Sequence, residues 1–408
     1  MNHERSLNQE QQAKMYRVWL IMGIIFISFN LRPAITAVGP LFGLIREDLE
    51  LANWGAGLLT SLPLLAFAIM SPIAPALGKK LSMERAMILG LLILGIGMLI
   101  RSVAYCIFLL VGTVLIGLGS AICNVLLPGF IKEKYPYHIA LMTGLYSTVM
   151  SIFAALASGL SVPLATGLNW GWQFALLFWM IPVILALIIW FMLDRKRQKD
   201  QQQFQMVFMS PHQKGRIWRS TLAWQVALFM GLQSTLFYVT VSWLPDILVD
   251  NAGLSLITAG WLLSFMQLIG LPASFIVPIL AGKLSSQQWL VFGLGLGLVL
   301  GFAGLLVAKT YVLVLISTIV IGFTLSGNFA LALTFLGLRA KTAHDAADLS
   351  GMAQSVGYLL AALGPVMMGL VFDMTKAWDV PVVLLIIISS CMLIFGLFAG
   401  RKRYVFNE

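Results

Sequence analysis

Arg32 stands where a charge is least welcome. It lies fifteen residues after Arg17 in an apolar run, which is about 22 Å along a helix rising 1.5 Å per residue. That depth is inside hydrocarbon, in its outer half. An unpaired arginine there costs at least about 2.5–3.5 kcal/mol. Every one of the 16 acidic residues falls in a loop, a tail or at a run end; Asp246, Asp345 and Asp348 come closest to the membrane. The charge therefore needs a cavity with water, carbonyls and polar side chains. An anionic or strongly polar ligand would serve better, because the planar guanidinium fork matches planar oxygen-bearing groups. Pro33 follows directly and frees a backbone carbonyl one turn earlier.

Other groups at similar depth are neutral hydrogen bonders: the amides Asn30, Asn124, Gln233, Gln267, Asn328 and Gln354, with Tyr146, Tyr238 and Trp243. In lipid an amide also serves as glue between helices, so each has two uses. This set can bind, but it cannot break bonds. A catalytic site would need clustered Asp, Glu, His or Cys, and His3, His138, His212 and His344 all lie in or beside polar segments. Cys106, Cys123 and Cys391 are odd in number and lack metal spacing, so they read as small packing residues. No Gly-x-x-x-x-Gly-Lys loop is present, which argues against direct use of ATP. No catalytic residue, metal or cofactor is expected.

The elements that position these groups follow from composition. Of 408 residues, 60% are hydrophobic and 10% charged, against about 25% charged in a soluble protein. Lipid must be the solvent for most of the exterior. Apolar runs fall near 17–44, 53–78, 83–103, 105–131, 138–167, 170–193, 218–245, 254–282, 287–307, 310–338, 346–373 and 380–400, which makes twelve transmembrane helices. The run from Val18 is too long for a cleaved signal peptide, so the first span is expected to stay.

Charge placement sets the orientation. With residues 1–16 as a cytoplasmic tail, the loops alternate so that Arg46, Arg101, Lys309 and Lys376 fall outside. Of the 26 basic residues, Arg32 is in a span and the other twenty-one lie inside. This is the positive-inside bias. The +10 net charge is thus a topology signal, and no nucleic-acid partner is expected. Both termini are cytoplasmic on this reading. A polar linker, 194–219, separates the six-helix halves 17–193 and 220–400, and 401–408 forms a second tail.

The halves resemble each other. AGLLTSLPLLAFAIMSPIAPALGKKLS from Ala56 matches AGWLLSFMQLIGLPASFIVPILAGKLS from Ala259, pairing Gly57 with Gly260 and Pro75 with Pro278 at an offset of 203. Gly117, Gly119 and Asn124 in the fourth span recur as Gly322, Gly327 and Asn328 in the tenth. The glycines read as close-packing contacts. Six spans is an even number, so both copies insert the same way round. Two parallel six-helix halves form the major facilitator fold, an all-α membrane protein with its site between the halves near the midplane.

The motif NLRPAITAVGPL from Asn30 resembles the first-span signature of the cyanate and nitroimidazole transporters within the major facilitator superfamily. The resemblance extends through GLGSAICNVLLPGFIKEKYP, LMTGLYSTVM, VSWLPDIL and LSGMAQSVGYLLAALGP, nearly the whole chain. It implies small polar or anionic substrates. It also implies that spans one, four, seven and ten line the cavity and that five, eight and eleven flank it. Arg32, Asn30, Asn124, Tyr146, Gln233, Tyr238, Gln267, Asn328 and Gln354 are therefore the candidate substrate-binding residues. The loop between spans two and three, GKKLSMERAM, departs from the superfamily in lacking an aspartate. Span five, ALASGLSVPLATG, lacks the Gly-Pro pattern of drug/proton antiporters.

The favoured expectation is a secondary transporter for a small anionic or polar nitrogen compound, acting as a multi-pass monomer in a bacterial inner membrane. The alternative is a proton-driven exporter of amphipathic drugs, which would want a protonatable carboxylate in the cavity. A membrane-embedded enzyme or sensor is the third possibility, and it lacks the clustered side chains noted above.

Overall fold

The computed structural model describes residue 15 and residues 18–49, 54–201, 216–308 and 310–406. The N-terminal tail, residue 15 apart, and most of the 194–219 linker lie outside the described residues. Among the described residues, eleven helices are long and apolar enough to cross a membrane, and a bent pair supplies the twelfth. In chain order the spans are Val18–Phe42, the pair Ser61–Met70 and Ala74–Leu81, Met83–Arg101, Cys106–Lys134, Ile139–Gly167, Gly171–Arg195, Thr221–Ala252, Thr258–Lys283, Gln288–Leu306, Tyr311–Leu338, Ala343–Thr375 and Asp379–Ala399. Hydrocarbon offers backbone groups no water, so each segment must bond its own N–H and C=O groups, which a helix does.

Several span ends carry their caps in the sequence. Ser220, Ser255 and Thr310 accept from the backbone N–H three residues on, which satisfies one of the orphan donors of a helix start. Thr342 and Asp345 form a reciprocal capping box. That accounts for one of the three acids nearest the membrane.

The duplication is visible in side-chain contacts. Trp172 Nε1 donates to Asp48 Oδ2 at 2.8 Å, joining the end of span one to the start of span six. Trp378 Nε1 donates to Asp250 Oδ2 at 2.8 Å and joins span seven to span twelve in the same way. Gly117 packs on Pro63 and Ala66, and Gly327 on Leu294 and Val277, so both act as close-packing residues.

The halves meet through spans two and eleven and through five and eight. Prolines shape this interface. A proline has no N–H for the carbonyl four residues back, so Pro72, Pro128 and Pro278 strand the carbonyls of Ala68, Asn124 and Ser274. A donor from the opposite half takes each one. Ser355 Oγ donates to Ala68 O at 2.7 Å, Gln354 Nε2 to Asn124 O at 3.2 Å, and Ser147 Oγ to Ser274 O at 3.1 Å. Pro75 strands the Ser71 carbonyl in turn, and Gly351 lies against it; a Cβ at position 351 would stand 2.6 Å from that oxygen. Lys79 Nζ donates to both oxygens of Asp348, at 2.9 and 2.8 Å. These contacts all lie toward the end that carries Lys79, Lys80, Lys132, Lys134 and Lys283.

Two arginines read as loop charges are buried instead. Arg101 ends span three at 1% exposure, and its Nη1 donates to Ala34 O at 2.5 Å. Arg339 follows span ten at 4% exposure. It donates to Ala399 O at 2.7 Å and to Gln287 Oε1, and burial brings its guanidinium down to about 10. Both sit at helix ends, where the end carbonyls of neighbouring segments need donors.

Candidate functional site

Span one is not a continuous helix. It runs helical to Ser28, opens over Phe29–Arg32 and resumes at Pro33. Pro33 cannot donate to Phe29 O, and Arg32 takes φ −124° and ψ −35° at the restart. Neighbours hold the break. Asn30 Nδ2 donates to Phe26 O at 2.7 Å and to Pro182 O of span six at 3.1 Å. Thr36 Oγ1 donates to Ala154 O of span five at 3.2 Å, and Arg101 grips Ala34 O from span three. Span seven, the counterpart in the second half, is one unbroken helix, Thr221–Ala252.

The break delivers Arg32 to the second half. Its Cζ lies 4.5 Å from the Phe329 ring centroid and 5.4 Å from that of Phe237, within cation–π range. Among the described residues no side chain or carbonyl accepts a hydrogen bond from the guanidinium. Its donors face two cavities. The larger has Ser151, Gln267, Ser274 and Ser326 as its polar lining with Arg32. The smaller, with room for about one water, is lined by Arg32, Gln233, Ser234, Phe237, Tyr238, Phe329 and Tyr358. Neither lining contains a carboxylate, histidine or cysteine. The arrangement offers hydrogen-bonding groups and one cation, and it holds no carboxylate–histidine or thiol–histidine pair.

The other candidates divide by location. Gln233, Tyr238 and Gln267 join Arg32 at the cavities. Asn124 and Gln354 lie just beyond, in the inter-half contact. Asn124 Nδ2 donates to the Tyr358 hydroxyl at 3.3 Å, while Asn124 Oδ1 and Gln354 Oε1 are buried without a hydrogen-bond partner. Tyr146 is fully buried with an unpartnered hydroxyl. Asn328 Nδ2 donates to Thr324 O of its own helix at 2.9 Å. Asn30, Asn124, Tyr146, Asn328 and Gln354 are absent from both linings; Asn30 is spent between spans one and six. Trp243 Nε1 donates to Pro365 O at 2.9 Å and ties span seven to eleven.

Sequence reasoning missed Phe237, Phe329 and Tyr358. Phenylalanine is common on lipid-facing helices, so the two rings carried no distinguishing mark. Tyr358 did carry one: it lies four residues after Gln354, on the same helix face.

Two parallel six-helix halves with cavities between them are the architecture of a membrane transporter. The chain belongs to the Major Facilitator Superfamily, whose family profile matches residues 18–365. It is 49% identical over 395 residues to the uncharacterized transporter YycB of Bacillus subtilis, covering 97% of this chain and 96% of that one. It is 42% identical to the 2-nitroimidazole transporter of Escherichia coli, covering 95% and 97%. It is 25% identical to the cyanate transport protein CynX of E. coli, covering 85% and 88%. These relatives bear out the resemblance to cyanate and nitroimidazole transporters. Solved structures agree on the fold. FucP in its outward conformation superposes with a TM-score of 0.72 at 15% identity, covering 94% of this chain and 98% of that one. The xylose symporter XylE gives 0.78 at 10% identity, covering 96% and 98%.

Proposed function

We propose that this chain is a secondary transporter that carries a small planar anion or polar nitrogen compound across a bacterial inner membrane by alternating access. The observation that carries the reading is the Arg32 guanidinium: it faces the inter-half cavities, flanked by Phe237 and Phe329, with no acceptor among the described residues. The ligand is its missing counter-group. Gln233, Tyr238 and Gln267 are proposed to contact the ligand beside Arg32. Asn124, Gln354 and Tyr146 are proposed to meet it as the halves part, and Asn30 and Asn328 to support the helices that hold the site. On the orientation set by the charge bias, the proline-shaped contacts close the cytoplasmic side.

The drug-exporter alternative needs a protonatable carboxylate in the cavity, and the linings contain none. Proton coupling then rests on the substrate's own titration.

Binding to the purified protein tests the proposal, with 2-nitroimidazole, benzoate, cyanate and a cationic dye as probes. Arg32→Ala should abolish binding of the first three while folding normally, since it removes an uncompensated charge. Arg32→Lys should fail to restore it, because lysine lacks the planar fork. Tight binding of the dye alone, or unchanged affinities in Arg32→Ala, would overturn the proposal.

A further inference from the structure

The smaller cavity is uneven in its hydrogen-bonding groups. Arg32 brings donors from the first half. Gln233, in the same lining, is fixed in direction: Nε2 donates to Leu325 O at 3.2 Å, which leaves Oε1 as the end that accepts. The partner of Oε1 is Ser234 Oγ at 3.4 Å, long for a hydroxyl donor. Gln233 is 1% exposed, so an acceptor is held at the cavity with a poor partner. The Tyr358 hydroxyl accepts from Asn124 Nδ2, and its own proton remains to give. Two donor positions therefore stand around one under-satisfied buried acceptor, beside the rings of Phe237 and Phe329.

Resting on the transport reading above, we infer that the groups around this cavity, parting to admit a ligand as the halves move, select a small planar ring with oxygen acceptors at one edge and an N–H at another, and that Gln233 sets this specificity. The oxygens meet Arg32, Tyr358 donates to a ring acceptor, and the ring N–H donates to Gln233 Oε1. A linear anion without an N–H leaves Gln233 as it is in the empty site. A site built to hydrogen-bond a substrate group rejects an analogue that lacks it, because its buried polar atom is left unpaired.

The test is titration calorimetry on the purified full chain, at a pH that keeps the ring N–H protonated. The probes are 2-nitroimidazole, 1-methyl-2-nitroimidazole and 4-methyl-2-nitroimidazole. The last carries the same added methyl on carbon and keeps its N–H, so it controls for size without any substitution in the protein. The N-methyl ring should bind at least about tenfold more weakly than the C-methyl ring, and Gln233→Met should erase that ratio. Equal affinities for the two methylated rings in the parent would overturn the inference and leave the transport reading standing. A ratio that survives in Gln233→Met would overturn the assignment to Gln233. Binding of none of the rings, with benzoate and cyanate also silent, would overturn the transport reading and this inference together.

Discussion

Gln354→Leu should tip the balance between the two faces of the carrier. Gln354 is fully buried, and its Nε2 donates across the interface to Asn124 O at 3.2 Å. Pro128 denies that oxygen its helical N–H. Removing the amide leaves the carbonyl buried without a donor, at a cost of up to about 3 kcal/mol, offset in part because Gln354 Oε1, itself buried without a partner, goes with it. When the halves part at the lysine-rich end, water reaches the same oxygen and the cost disappears. The effect therefore falls on the closed arrangement, and the closed-to-open ratio should drop severalfold, by at most about 150-fold. Pro128→Ala supplies the control: alanine returns an N–H to Asn124 O in both states, so Gln354 becomes dispensable there. The double variant should shift the balance far less than Gln354→Leu alone, a coupling that a double-mutant cycle measures directly. Spin labels at positions 80 and 341, both exposed and on opposite halves, read the opening by pulsed electron resonance. An unchanged distance distribution in Gln354→Leu, or an equal shift in the double variant, would refute the reasoning.

Other outcomes follow from the same contacts. Asp348→Asn weakens the Lys79 pair, whose side chains are 29% and 19% exposed. It should move the same label distances by no more than a population shift worth about 1 kcal/mol, the upper range for exposed pairs, and less than Gln354→Leu does. Asp48→Asn and Asp250→Asn each exchange a charge-assisted bond to an indole for a neutral one. Each should lower the melting temperature of the purified protein, by similar amounts if the two clasps are equivalent. In proteoliposomes, exchange of labelled 2-nitroimidazole should outrun its net efflux, since an empty carrier must enclose Arg32 without a ligand; equal rates would count against a ligand-neutralised cation.

The sequence made the scaffold legible because lipid imposes a coarse rule. Every span was visible as an apolar run of the right length, and the positions of Arg32 and Pro33 announced a special segment in span one. Its unwinding over Phe29–Arg32 was only half visible: a proline promises a freed carbonyl, yet the break also depends on Asn30 reaching Pro182 O and Arg101 reaching Ala34 O, partners from distant runs. The amides were recognisable as polar groups at depth, but their direction was not. Asn30 and Gln233 look alike in the sequence; one ties span one to span six and the other lines a cavity. Spacing along a helix fixes a face, and only packing decides what that face meets. Arg101 and Arg339 failed for the same reason: an arginine at a run's end looks like a solvated loop charge until neighbouring helix ends present carbonyls to it.

The fold repeats, and the site does not. Asn30 and Gln233 occupy matching positions at the repeat offset of 203, and each donates to a carbonyl of a neighbouring helix, Pro182 O in one half and Leu325 O in the other. Two residues further on, the copies diverge. Arg32 corresponds to Thr235, which bonds Gly231 O in its own helix. The cation therefore comes from one copy, while the rings that face it, Phe237 and Phe329, come from the other. Each cation–π contact is worth about 0.5–2 kcal/mol, too little to replace the hydration of a guanidinium, so neither half completes the site alone. On the proposed function, a ligand whose oxygens occupy the fork supplies what the rings cannot. Its binding energy is then available only when both halves surround it, which ties occupancy of the site to the relative position of the halves. That tie is the physical difference between a carrier and an open pore, and on the proposed function it rests on one unpaired arginine at a proline break.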